Sequence, residues 1–188
     1  MEILHISYWL ATIFGVWYVI KNKKLVNFFI LYSFLNLFVI TFLYKHLQEY
    51  ILGTVSTLVL FFLVIKFLKN TYNLETIVGL EGLVFKTPLF AFILRLVLLM
   101  VGSFPPFLSS NVIYYNLLDP NVNLYSIVSL ILLLIFNFTL FMRITVNILF
   151  GKPTERILYK DISKKFGLIV FAIIFLNFCL GIYYILNL

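Results

Sequence analysis

The 188 residues are 63% hydrophobic and 11% charged, with a mean hydropathy of +1.10. Soluble domains carry about 25% charged residues, so this chain has too few to cover a surface in water, and lipid is the solvent that fits it. The net charge of +7 would raise nucleic acid in a soluble protein. Here most basic residues lie in short segments between apolar runs, where they read as topogenic charge and not as a nucleic-acid surface.

The single cysteine, Cys179, lies in an apolar run, and no Cys/His cluster is present for a metal site or iron–sulfur cluster. The start does not read as a cleaved signal, because Glu2 stands where a basic segment would and the first apolar run is long enough to span. The abundance of Phe, Tyr, Leu, Ile, Asn and Lys, whose codons are mostly AT-rich, hints at an organellar genome.

The predicted elements are all α-helical, and they make one transmembrane domain. Residues 3–20 form the first apolar run, closed by Lys21, Lys23 and Lys24. Residues 25–44 form the second, closed by Lys45, His46 and Glu49, and residues 50–68 the third, with Lys66 and Lys69 at its end. Each is roughly 18 to 20 residues, and a bilayer core needs about 20. Residues 70–88 hold Glu75, Glu81 and Lys86 and are too polar to span, so they predict a short amphipathic piece at the interface.

Residues 89–118 are too long for one straight span and too short for two. Gly102, Ser103, Pro105 and Pro106 sit in the middle, and adjacent prolines remove two amide donors. The simplest reading is one discontinuous helix broken near Gly102 to Pro106, lining a wet cavity or buried in protein. The plainer alternative is a kinked or tilted helix. Residues 124–150 and 166–186 complete a polytopic membrane protein of about six helices.

Alternating crossings put the first, third and fifth connections on one side. These carry Lys21, Lys23, Lys24, Lys66, Lys69, Lys86, Lys152, Arg156, Lys160, Lys164 and Lys165, against Lys45 alone on the other. Basic residues mark the cytoplasmic or matrix side, so both termini are expected on the periplasmic or intermembrane-space side.

Ionisable groups inside a membrane need a reason. Arg95, Arg143 and Lys66 are the candidates, and for each the structural reading is pairing or snorkelling to the interface. No Asp or Glu lies inside an apolar run. Arginine is nearly always charged, so it sets a field but carries protons poorly. Ser103, Ser109, Ser110, Asn111, Asn137, Thr139, Asn147 and Asn177 either hold water or bond across helices. His5 and His46 lie near membrane faces and read as solvated. No nucleotide-binding, hydrolase or metalloprotease motif occurs.

Residues 76–107, TIVGLEGLVFKTPLFAFILRLVLLMVGSFPPF, resemble the antiporter-like membrane subunits of respiratory complex I. There, a lateral segment (here Gly82, Leu83, Lys86 and Pro88) precedes a broken helix with a glycine–proline motif, matched by Gly102, Ser103, Phe104, Pro105 and Pro106. Residues 137–151, NFTLFMRITVNILFG, are similar to the following helix, with Arg143 at its arginine. The double proline is most similar to the C-terminal part of subunit 2, and the charged loop ending in DISKK also to subunit 4. The resemblance covers residues 50–188. It implies a membrane-arm subunit of NADH:ubiquinone oxidoreductase in the mitochondrial inner membrane, helping to couple redox energy to proton movement. It also implies no cofactor in this chain. NADH, flavin, iron–sulfur clusters and quinone would be handled by partner subunits, with a companion chain supplying the N-terminal half and lipids around the whole.

The chain departs from that family in two ways. The family's subunits are usually much longer. They also usually keep a Lys or Glu soon after the prolines, where this chain reads FLSSNVIYYNLL. A structural scaffold that lacks the proton path, or a small independent transporter, are the readings from other classes.

Overall fold

In lipid a backbone has to satisfy its own hydrogen bonds, and the apolar runs do so as helices. The computed structural model describes residues 2–81, 83–150 and 160–187. Gly82, Gly151, Lys152 and Arg156 lie outside the described residues. In chain order come α1 (Glu2–Lys21), α2 (Leu25–Phe38), α3 (Leu47–Tyr72), α4 (Leu83–Lys86), α5 (Pro88–Val101), α6 (Leu108–Leu118), α7 (Leu124–Phe150) and α8 (Lys164–Leu186). Among the described residues there is no strand, only one bridge between Lys24 and Thr76.

Five of these helices are long and apolar enough to cross a membrane: α1, α2 with its terminal turn, α3, α7 and α8. The sixth crossing is α5 and α6 in series, separated at residues 102–107. The fold is therefore the all-α polytopic one, with its fourth span discontinuous.

Some boundaries differ from the sequence reading. α2 ends at Phe38, and Val39–Phe42 tightens into a 3₁₀ turn. α3 starts at Leu47, because His46 takes a left-handed conformation (φ 60°) just before it, and runs on to Tyr72, where left-handed Asn73 ends it. The described residues of the polar segment 70–88 are the last turn of α3, an extended stretch, a 3₁₀ turn at Ile77–Leu80, the single-turn α4 and the start of α5. The extended stretch pairs with the α1–α2 connection, where Leu25 N–H donates to Glu75 O (3.0 Å) and Ile77 N–H to Lys23 O (2.9 Å).

These connections define two ends. At the basic end the Tyr72 hydroxyl donates to Lys160 O (2.5 Å). There the Asp161 carboxylate also accepts from Leu89 N–H (3.2 Å) and Phe90 N–H (3.0 Å). Those amides are orphan donors of the first turn of α5, which opens on Pro88. At the opposite end Asn116 Oδ1 accepts from Tyr44 N–H (3.0 Å) and Lys45 N–H (3.1 Å), and Lys45 pairs with Asp119 at 2.9 Å. There too the His5 ring stacks on Phe42 with centroids 4.2 Å apart.

α7 packs along α1 and against α5, α3 packs against α6, and α6 against α8. Tyr8, Phe28, Leu35, Leu133, Phe136 and Leu140 are buried between them, while Phe34, Ile131, Leu168 and Leu176 face outward. Helices apolar inside and outside are what a bilayer surround requires.

Candidate functional site

The break begins as a helix C-terminus. Ser103 N–H donates to Met100 O (3.1 Å) and Phe104 N–H to Leu99 O (3.1 Å), while Ser103 sits at φ 56°. This is the Schellman pattern, with serine where glycine is usual. A left-handed side-chain-bearing residue is strained, and here the side chain has a use. Pro105 and Pro106, joined by a cis peptide, then carry the chain to α6, since neither can continue the helix.

The interrupted backbone is satisfied by neighbours. Ser110 Oγ donates to Phe107 O at 2.7 Å or Phe104 O at 2.8 Å. Asn111 Nδ2 donates to Pro106 O (2.9 Å) and to Gly181 O on α8 (3.0 Å). Leu108 N–H, the first donor of α6, reaches Asn177 Oδ1 (3.1 Å), and Asn177 also donates to Ser56 Oγ on α3. Two glycines let α3 and α8 come this close. A Cβ on Gly53 would lie 3.0 Å from Ser109 Cα, and one on Gly181 would run into the Pro106–Leu108 backbone.

The Ser103 side chain belongs to a polar cluster at mid-depth. Asn137 of α7 donates to Ser103 Oγ (2.8 Å) and exchanges amide hydrogen bonds of 3.1 Å with Asn36 of α2. The Tyr50 hydroxyl of α3 donates to Asn36 O (3.1 Å). Asn137 and Tyr50 are 0% exposed, Asn36 2% and Ser103 3%. Asn137 stands thirteen residues from each end of α7, roughly 20 Å of helix rise either way. Amides and hydroxyls at that depth can order water or pass a proton along hydrogen bonds, but none is a strong acid or base.

The predicted cations are elsewhere. Arg95 lies seven residues into α5, Arg143 seven before the end of α7 and Lys66 six before the end of α3, all about 10 Å of rise from the basic end. Lys66 is exposed, and both arginines are half-buried. The Nε atoms of Arg95 and Arg143 are buried without a hydrogen-bond partner among the described residues. The structure does not bring these cations into the central cluster.

Of the polar residues read from the sequence, Ser103, Ser110, Asn111, Asn137 and Asn177 meet at or around the break. Thr139 donates to Ile135 O (2.7 Å) and Asn147 to Arg143 O (2.6 Å), within α7. His5 bonds Ser129 (3.0 Å), and the His46 ring sits edge-on to Tyr115 and Tyr184. No group of three potential metal ligands occurs among the described residues. Sequence reasoning missed Asn36, Tyr50, Gly53, Gly181 and Asn116. An asparagine in an apolar run, and glycines among bulky residues, were the available signals.

Two ion pairs at the ends of the helices displace the titration of their partners. The Lys45 ammonium, hydrogen-bonded to Asp119, holds that carboxyl below its ordinary value, and the bond raises Lys45 in turn. Lys69 lowers Glu75 in the same way at the basic end.

Fold and site together define a polytopic all-α membrane protein with one discontinuous span and a buried polar centre. No protein-family model and no curated protein matches the chain. Among solved structures it is similar to a chain of respiratory complex I from Thermus thermophilus, in a structure with bound aureothin. The TM-score is 0.69 at 18% identity, over 96% of this chain and 43% of that one. The likeness is one of fold, and this chain spans less than half the length of its neighbour.

Proposed function

We propose that the chain is a membrane-arm subunit of a proton-pumping NADH:ubiquinone oxidoreductase. The observation that carries this is the fold likeness, which extends over nearly the whole chain to a chain of a respiratory complex I. The residues around Gly102, Pro105, Pro106 and Arg143 that resemble the antiporter-like subunits support it. Of those subunits, the C-terminal part of subunit 2 is the preferred counterpart, with a companion chain supplying the remainder. NADH, flavin, iron–sulfur clusters and quinone belong to other subunits. The basic end faces the mitochondrial matrix, and the termini face the intermembrane space.

In this reading the break admits water toward Ser103, Asn137 and Asn36, while Arg95 and Lys66 set a positive field on the matrix side of the path and Arg143 stands beside them. A cation near a water chain disfavours an excess proton there, so the field would direct protons and not carry them. A purely structural role is the second reading. It is favoured by the central cluster, whose polar side chains bond one another and include no carboxylate, lysine or histidine.

The test is purification of the tagged chain in mild detergent, followed by reconstitution of the assembly into vesicles. NADH:quinone oxidoreductase activity is expected to accompany the chain, and its absence removes the proposal. With Arg95→Ala, reduced proton pumping at unchanged NADH oxidation supports the translocating role. Full pumping leaves the scaffold.

A further inference from the structure

Of the three cations, Arg143 alone combines a backbone direction that works against it with a buried nitrogen that has no partner among the described residues. Cα–Cβ bonds in a helix tilt toward its N-terminus. α5 begins at the basic end, so Arg95 tilts toward the water there and can snorkel. α7 runs the other way, and Arg143 tilts toward the membrane interior, with its Nε buried and unpartnered. Lys66 on α3 shares that direction, but its flexible ammonium is exposed.

Arg143 is also the centre of a polar ridge. Thr139, Arg143 and Asn147 follow one another at intervals of four along one face of α7. Beside them runs an exposed apolar stripe of Ile135, Phe138, Met142 and Val146. An open groove of about 490 Å³ lies over the ridge and is lined also by Ile20 of α1, with no Asp or Glu among its described lining residues. Thr139 and Asn147 bond carbonyls of α7 itself, so the group on this face that lipid leaves without a partner is Arg143, and a cation in that position on a membrane helix faces protein.

We infer that this face of α7 receives a transmembrane helix from a different membrane subunit, and that an Asp or Glu on that helix pairs with Arg143. Guanidinium and carboxylate match in charge and in fork geometry. Arg143 lies four residues inside the end of the apolar span Leu124–Asn147, and the fork geometry of a carboxylate on a helix docked at that level matches its guanidinium. A second copy of this chain cannot supply the carboxylate, since no apolar run contains one. A neighbouring polypeptide is also in keeping with the comparison, where the similar chain is more than twice as long. The inference names the chemistry of the companion subunit, and it rests on the proposed function only for which assembly supplies the helix.

The direct test is a density map of the native assembly at side-chain detail. A carboxylate of another chain within ~4 Å of the Arg143 guanidinium is expected. A lipid phosphate, a second copy of this chain or acyl chains alone at that position would overturn the inference. In parallel, Arg143→Leu should raise the rate at which the chain leaves the assembly roughly 30-fold or more, with Arg143→Lys intermediate. Equal retention of the Arg143→Leu variant and the unaltered chain, both helical by circular dichroism, also overturns it. An Arg143–carboxylate pair in an assembly without NADH oxidation keeps this inference and discards the proposed function. An NADH dehydrogenase with only lipid at Arg143 does the reverse.

Discussion

The middle of the membrane and its basic third handle polar groups in opposite ways. At mid-depth, Asn36, Asn137, Ser103 and Tyr50 close a hydrogen-bonded cluster from four separate elements, and Asn111, Asn177 and Ser110 satisfy the broken backbone beside it. About 10 Å from the basic end, Arg95 and Arg143 keep buried Nε atoms without a partner among the described residues. The first arrangement is complete within one chain. The second is not complete among the described residues, and for Arg143 the proposed partner is a neighbouring chain. A buried polar group that is fully bonded contributes specificity, whereas an unpaired charge is costly until its partner arrives.

The contrast can be attacked first where packing is tightest. Gly181→Ala places a methyl group against the Pro106–Leu108 backbone, which cannot step aside as a side chain does. It should lower stability by about 3 kcal/mol or prevent folding, read by thermal unfolding in micelles. Gly167→Ala meets chiefly the flexible tip of Ile162 and should change the midpoint far less. Equal effects would mean that the close approach of α8 to the break is unimportant.

Asn137→Leu sharpens the same comparison at the cluster. It takes one of two partners from each end of the Asn36 amide, leaving Tyr32 O and the Tyr50 hydroxyl, removes the donor to Ser103, and should cost about 1–3 kcal/mol. Because Asn36 and Asn137 serve each other, leucine at both positions should recover part of that loss. A double variant as unstable as the sum of the singles would contradict a shared network.

The smallest effect is expected at the exposed end. The folded Asp119 carboxyl titrates below its ordinary value of 3.8, so its contribution is fully present above that pH and is lost as pH falls through the folded value. Lys45 is raised above 10.5, so its share is fully present below that pH and fades as pH rises through the folded value. Unfolding midpoints measured in acid should drop in the native chain, and the Asp119-dependent part of the drop should vanish in Asp119→Asn.

Much of this contrast was legible in the residues. The apolar runs marked out six crossings, and Gly102 to Pro106 announced the break, because prolines act locally. Ser103, Asn111, Asn137 and Asn177 stood out as polar residues in apolar surroundings. What they bond to did not, since Asn36 and Asn137 are 101 residues apart and pairing across helices depends on rotation about each axis. The start of α3 was missed because Gln48 and Glu49 are polar, although a first turn at a membrane face tolerates them. Arg95 and Arg143 were legible as cations inside apolar runs, and the ends of α5 and α7 put each seven residues from the basic end; which of their nitrogens find a partner depends on packing that the sequence does not show.

The most direct test of the central claim compares one substitution in two settings. Arg143→Leu should leave the isolated chain in nanodiscs as stable as the native chain, or more so, because an unpaired cation is removed. In the native assembly the same change should lower the midpoint or release the chain. A loss of equal size in both settings would show that Arg143 is satisfied within the chain and would contradict the account.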